Sequence, residues 1–231
     1  MTKTKSSKPI YVFMPACNEE EKVGEVIKRL SELKLNLKVH VVDDGSMDRT
    51  KECAGKMGAL VVRHPSNLGQ WAALRTGFAI SLMEGADVAV SIDADGQHDP
   101  RDVGILVEPI LNGDADIVIG SRFLDGDAPK MPKYRHVGIK AFNRLVEIAT
   151  KKKLSDSTSG YKAYDMAMVR KILPYLKEDQ YGALEFLVIA LRHGARVIEK
   201  PIRMNSNSHS QKGKLKFGYN LLRTVLKQYF E

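Results

Sequence analysis

Val88-Ala-Val-Ser-Ile-Asp-Ala-Asp-Gly-Gln-His98 is an apolar run that ends in two carboxylates one residue apart. The stretch Asp87 to Ile92 is short, unbroken and rich in Val and Ile, the pattern of a strand covered on both faces. Asp93 and Asp95 then fall where that strand must end. Placed there, both side chains can reach a divalent ion that bridges a diphosphate, with Gln97 and His98 close behind. Polar loops generate Asp-x-Asp often, so it is the buried strand in front of this one that gives it weight.

The same form recurs upstream. Val41-Val42-Asp43-Asp44-Gly45-Ser46 runs a buried strand into paired acids, a Gly suited to a tight turn and a Ser. A turn capping the next helix through Asp48 or Thr50 is the plain reading, and it is compatible with ligand binding. A helix start leaves free N–H groups, while Asp44 can accept from a base or ribose. Further upstream, Pro15-Ala16-Cys17-Asn18-Glu19 follows the apolar run Ile10 to Met14. Pro cannot donate to a ladder, so the strand is expected to break there and deliver Asn18 and Glu19 to a crevice floor, with a helix N-cap as the other use of Asn18.

Lys38 to Val42, Ala59 to Arg63 and Asp116 to Ile119 complete a set of strand-like runs. Between them, Val23, Val26, Ile27, Leu30 and Leu33 form one helical stripe, and Val103, Leu106, Val107 and Ile110 form another. This alternation predicts an α/β fold with a mostly parallel central sheet flanked by helices, whose ligands bind beyond the carboxyl ends of the strands. The expected organisation is a basic leader over 1–8 and one domain over 9–231, in two halves at 9–120 and 121–231. After Gly120 the alternation weakens. A helix is expected from about His136 to Lys152, then the polar loop Ser155 to Gly160, and an amphipathic helix from Leu215 to Phe230.

The chain has 231 residues and a formal charge of +8, which favours anionic partners without choosing among nucleotides, phospholipid surfaces and nucleic acids. No nucleic-acid motif supports the last of these. Cys17 and Cys53 have neither metal-ligand spacing nor a disulfide framework, which suits a reducing compartment. No run approaches the roughly 18 apolar residues of a membrane span, and the polar start has no signal-peptide core. A cytoplasmic chain is the expectation, peripheral to a membrane if its partner is a lipid. A Walker-type phosphate cradle is missing, and Asn67-Leu68-Gly69 is too short for a dinucleotide fingerprint, which disfavours kinases and NAD enzymes.

Together these motifs, with Gly77, Gly120-Ser-Arg122-Phe123 and Asp156-Ser-Thr-Ser-Gly160-Tyr161, resemble inverting nucleotide-sugar glycosyltransferases of family 2 with the GT-A fold. Within them, the resemblance is to the dolichyl-phosphate mannose synthase and polyprenyl-phosphate glycosyltransferase group, over nearly the whole chain. The resemblance implies a donor site of Pro15, Ala16, Asn18, Glu19, Val42, Asp44, Gly69, Ile92, Asp93, Ala94, Asp95 and Gln97. It implies Mg²⁺ or Mn²⁺ at Asp93, Asp95 and Gln97, and an acceptor phosphate held by Arg122, Arg135 and Lys212. Asp156 would lie on the acceptor side, and Asp95, Arg122, Arg135 and Asp156 would form the catalytic set. The departure is at Arg203 to Lys216, where Asn207, His209, Gln211 and Lys212 replace an Arg-rich loop, which leaves the sugar open.

The expected reaction is metal-dependent transfer of a hexose from a GDP- or UDP-linked donor to a polyprenyl or dolichyl phosphate. A phosphate monoester is ionised near neutral pH, its second pKa being about 6, so arginine matters more there than a base. A glycan or small-molecule hydroxyl acceptor would instead need a carboxylate base, Asp156 or Glu185. A sugar nucleotidyltransferase would release pyrophosphate. Amphipathic stretches at Val137 to Ile148 and Phe217 to Tyr229 could meet a membrane or pack as ordinary core helices, and a membrane partner subunit is compatible with the sequence.

Overall fold

The computed structural model describes residues 8–124, 131–176 and 182–205, apart from the side chains of Lys133 and Arg135. Its first half alternates as the sequence predicts: β1 (Ile10–Ala16), α1 (Val23–Ser31), β2 (Leu37–Asp43), α2 (Thr50–Lys56), β3 (Leu60–Arg63), α3 (Gln70–Met83), β4 (Val88–Ser91), α4 (Val103–Leu111) and β5 (Ile117–Ser121). Then come α5 (Lys133–Thr150), β6 (Lys162–Asp165), α6 (Met166–Ile172), α7 (Gly182–Arg192) and β7 (Val197–Pro201). The expected helix from Leu215 lies outside the described residues.

One sheet of seven strands runs in the order β3-β2-β1-β4-β6-β5-β7. All neighbours pair parallel except β6, which is antiparallel to both β4 and β5. Strand formation therefore does not fade after Gly120: β6 enters between two strands of the first half, and β7 adds an edge.

β1 shows how the two faces are filled. Tyr11 and Phe13 join one core with Phe78 of α3, Tyr164 of β6 and Phe186 of α7. Ile10, Val12 and Met14 join the other, with Val26 and Leu30 of α1 and Leu106 of α4. This is the period-2 alternation of a strand buried on both sides.

The expectation that Pro15 breaks β1 is not met, since Pro15 pairs with Val42 and the strand continues to Ala16. The carbonyl of Ala16 accepts from Asp44 on the β2 side, and that of Phe13 from Ile92 on the β4 side. By alternation the nitrogen of Pro15 turns toward β4, where pairing has already ended at Phe13↔Ser91. The missing N–H costs no ladder bond there.

Gly77 of α3 lies directly over Phe13, and a Cβ at this position would stand 2.3 Å from the ring. Gly77→Ala should therefore destabilise the fold by about 1–3 kcal/mol through overpacking, despite the better helix propensity of alanine. Urea unfolding of the two chains measures it.

Candidate active site

Because β2, β1 and β4 are neighbours, the segments leaving their carboxyl ends share one edge of the sheet. They are tied together by side chains as well. Asn18 is left-handed, at φ 56°; its N–H donates to Ser46 Oγ at 2.9 Å and its Oδ1 accepts from Met47 N–H at 2.8 Å. Asn18 thus joins the β1 and β2 tips and does not cap α1, which begins at Val23. Glu19 N–H donates to Thr50 Oγ1, and Asp48 accepts from the N–H groups of Glu20 and Thr50.

Asp44 is buried, and its carboxylate organises the adjoining loop. Oδ1 accepts from His64 Nδ1 at 2.8 Å and Leu68 N–H at 2.9 Å, and Oδ2 from Gly69 N–H at 2.8 Å. In the neutral ring of His64 the proton must sit on Nδ1, so Nε2 accepts from Thr76 Oγ1 at 2.9 Å. The His64 and Thr76 contributions are side-chain partners that sequence reasoning did not single out. Gly45, at φ +70°, lies with its Cβ position 2.4 Å from the backbone of Ser66, which brings the same loop tight against the Asp43-Asp44 tip.

Beyond β4, Ile92 and Ala94 are buried while Asp93, Asp95 and Gln97 are half-buried. Asp95 Oδ1 accepts from Gln97 N–H at 3.0 Å, closing the turn, and Asp93 Oδ1 accepts from Gln70 Nε2 at 3.2 Å. The turn is strapped by the chain that leaves β7: Asn205 donates N–H to the Gln97 carbonyl and Nδ2 to the Gly96 carbonyl. Arg203 pairs with the buried Asp102 on the same side. His98 is buried with no hydrogen-bond partner on either ring nitrogen among the described residues; Nδ1 stands 4.0 Å from Asp93 Oδ2. Burial lowers its pKa, against the pull of Asp93 and Asp95.

Across the crevice, Arg122 and Asp156 form a two-pronged pair. Asp156 Oδ2 accepts from Arg122 N–H at 3.1 Å and Nε at 2.7 Å, and Oδ1 from Nη2 at 2.7 Å and Thr158 Oγ1 at 3.3 Å. These bonds fill the four acceptor sites of a carboxylate. The turn carrying Asp156 is held from two more sides. Glu199 of β7 accepts from Ser155 and Asp156 N–H groups, and Asn143 of α5 accepts from Ser157. At Gly160, a Cβ would stand 2.6 Å from Asp93 Oδ2, so this turn and the β4 tip are in direct contact. Glu199, Asn143 and the buried Lys162 were not foreseen. They lie in stretches with no recognisable motif and act on the turn from elements distant in sequence.

Glu185 is buried within α7. The side chain of Arg135 and the whole of Lys212 lie outside the described residues. Along α5, Phe142, Leu145 and Ala149 pack on the core with the buried Val146, while Tyr134, Val137 and Ile148 are exposed.

Among the described residues no group of three or more His, Cys, Asp or Glu forms a metal cage. Two half-buried carboxylates and an amide are hard oxygen donors, and they leave most of a coordination sphere to oxygens of a ligand. That donor set fits Mg²⁺ or Mn²⁺ shared with a diphosphate.

Comparison with known proteins identifies the family and the fold. The model of glycosyl transferase family 2 matches residues 11–173. A UDP-N-acetylglucosamine–dolichyl-phosphate N-acetylglucosaminyltransferase of Methanococcus voltae is 29% identical over 217 residues, 86% of this chain and 86% of that protein. A polyprenol monophosphomannose synthase of Mycolicibacterium smegmatis is 31% identical over 200 residues, 83% of this chain and 75% of its own. In fold, the chain resembles the glucosyl-3-phosphoglycerate synthase of Mycobacterium tuberculosis, solved with Mn²⁺, UDP and phosphoglyceric acid. The TM-score is 0.76 at 20% identity, over 97% of this chain and 79% of that one.

Arg122→Ala would strip the buried Asp156 of its two-pronged partner, so the fold should lose about 3–5 kcal/mol. Denaturant titration checks this, and Arg122→Lys should recover only part of the loss, since lysine cannot make the two-pronged contact.

Proposed function

The chain belongs to glycosyl transferase family 2, and on that premise we propose that it transfers a hexose from a GDP- or UDP-linked sugar to a polyprenyl or dolichyl phosphate, with inversion. The acceptor class is the one named by the relatives described above. In this reading the segments leaving β1 and β2, with Asp44 and Gly69, hold the nucleoside, and Asp93, Asp95 and Gln97 hold Mg²⁺ or Mn²⁺ on the diphosphate. Arg122, Arg135 and Lys212 receive the acceptor phosphate. The parts encoded by 9–120 serve the donor and those by 121–231 the acceptor.

The observation that favours a phosphate over a hydroxyl acceptor is the saturation of Asp156. Its acceptor sites are filled by Arg122 and Thr158, so it has none left to take a proton from a substrate hydroxyl. Glu185 is buried as well. An ionised phosphate needs no base. It needs a fixed cation, and Asp156 holds Arg122 in place while leaving Nη1 outside the paired fork. A divalent ion held by Asp93, Asp95 and Gln97 would supply the positive charge that opposes the negative charge building on the departing nucleoside diphosphate. The sheet edge itself contributes orientation, holding donor and acceptor at one spacing.

A lipid acceptor requires a membrane surface, and no described helix is long and apolar enough to cross one. The exposed Tyr134, Val137 and Ile148 of α5, with Lys140 and Arg144 between them, suit peripheral contact on the cytoplasmic face. Both cysteines are free thiols, in keeping with a reducing compartment.

Incubation with a panel of radiolabelled nucleotide sugars, Mn²⁺ and polyprenyl phosphate should give labelled lipid, and the unphosphorylated polyprenol should give none. Release of pyrophosphate with sugar 1-phosphate would instead mean a nucleotidyltransferase. Asp95→Ala should abolish metal-dependent transfer with the circular dichroism spectrum unchanged. Vesicles containing anionic lipid should carry the chain upward on flotation, and Val137→Glu should reduce that recovery.

A further inference from the structure

Lys162 opens β6 between Ser91 of β4 and Ile119 of β5, and it is buried. A buried ammonium is costly unless paired. Nζ donates to the Ser157 carbonyl at 3.3 Å, its one hydrogen bond among the described residues. The charged groups around it come from four separate places: Asp93 beyond β4, Arg122 beyond β5, Asp156 in the turn before β6, and Glu199 in β7. Lys162 is therefore the cation at the junction where the β4 tip meets the turn that secures Arg122. The donor and acceptor assignments above make no use of it.

We propose that Lys162 is a positioning residue for the transfer reaction: its buried ammonium holds the turn at 155–158 against the strand tips, and so fixes where the Asp156-bound guanidinium of Arg122 stands relative to Asp93. The role in turnover rests on the activity proposed above. Without this charge, Arg122 is left as the cation among these groups to oppose Asp93, Asp156 and Glu199.

Burial pulls the Lys162 pKa down from 10.5 to about 8, outweighing Asp156, Asp93 and Glu199, which raise it, while Arg122 lowers it further. Between those two values the unfolded chain keeps a proton that the folded chain has released, so this group makes the fold more stable as pH rises through that window. Positioning is lost over the same window. Activity and stability should therefore move in opposite directions, which a lysine with a purely structural role would not produce.

The test is kcat against pH for the full chain and for Lys162→Arg and Lys162→Met, with unfolding measured at each pH and the Arg122 Nε resonance followed by NMR. The wild type should lose activity above a midpoint near 8 without losing stability. Lys162→Arg should move that limb upward. Lys162→Met should lower kcat roughly tenfold with the KM for nucleotide sugar about unchanged. The Arg122 Nε signal should shift with the wild-type midpoint and stay flat in Lys162→Arg. An alkaline limb unchanged in Lys162→Arg, wild-type kcat in Lys162→Met, or a flat Arg122 signal in the wild type would each overturn the proposal. If Lys162→Met does not fold, the other two chains decide. If the Arg122 signal titrates but no sugar is transferred to any acceptor, the reaction assigned above fails and the positioning of Arg122 by Lys162 stands.

Discussion

A carboxylate taken out of water at a strand tip needs hydrogen-bond donors or a fixed cation, and the crevice is organised by meeting that need. Asp44 meets it with His64 and the Leu68 and Gly69 N–H groups, so the loop after β3 is drawn onto the β2 tip. Asp156 meets it with Arg122, drawing the segment after β5 onto the turn before β6. Asp102 meets it with Arg203, drawing the exit of β7 onto the start of α4. Each pairing removes a loop's freedom at the place where a substrate must be held, and a site built this way loses little entropy when it is filled.

The sheet order makes those separate clamps one site. β1 lies between β2 and β4, so the tips proposed to hold nucleoside and diphosphate are adjacent, and antiparallel β6 places the Ser155 to Tyr161 turn at the same end of the sheet. Had β6 run parallel, that turn would have emerged at the opposite end of the sheet. Gly160 and Asp93 are where the turn and the β4 tip meet, and a Cβ at Gly160 would push the Asp93 carboxylate aside.

Most of the first half of the fold was legible because strands covered on both faces are written as short apolar runs, and because acids follow them directly. β6 was not, since it is four residues long and begins with Lys162, which no hydrophobic pattern would place inside a sheet. β7 was hidden by Glu199, Lys200 and Pro201 within five residues. Pro15 misled for a local reason: a proline ends a strand only where its nitrogen faces a partner, and the partner strand is shorter on that side. Of the polar residues gathered at this end of the sheet, those adjacent to a strand tip were visible. Partners such as His64, Asn143 and Glu199, which approach from other elements, have no pattern in the chain to announce them.

In the proposed function, the β2 and β4 tips form one site in which Asp93, Asp95 and a divalent ion would hold a nucleoside diphosphate. Calorimetric binding of UDP and GDP, with and without Mn²⁺, tests it most directly. At least one of the two should bind more tightly by about tenfold or more when the metal is present, and Asp93→Asn with Asp95→Asn should remove that enhancement while leaving the metal-free binding in place. Affinity indifferent to Mn²⁺ for both nucleotides, or an enhancement that survives the double substitution, would contradict the account.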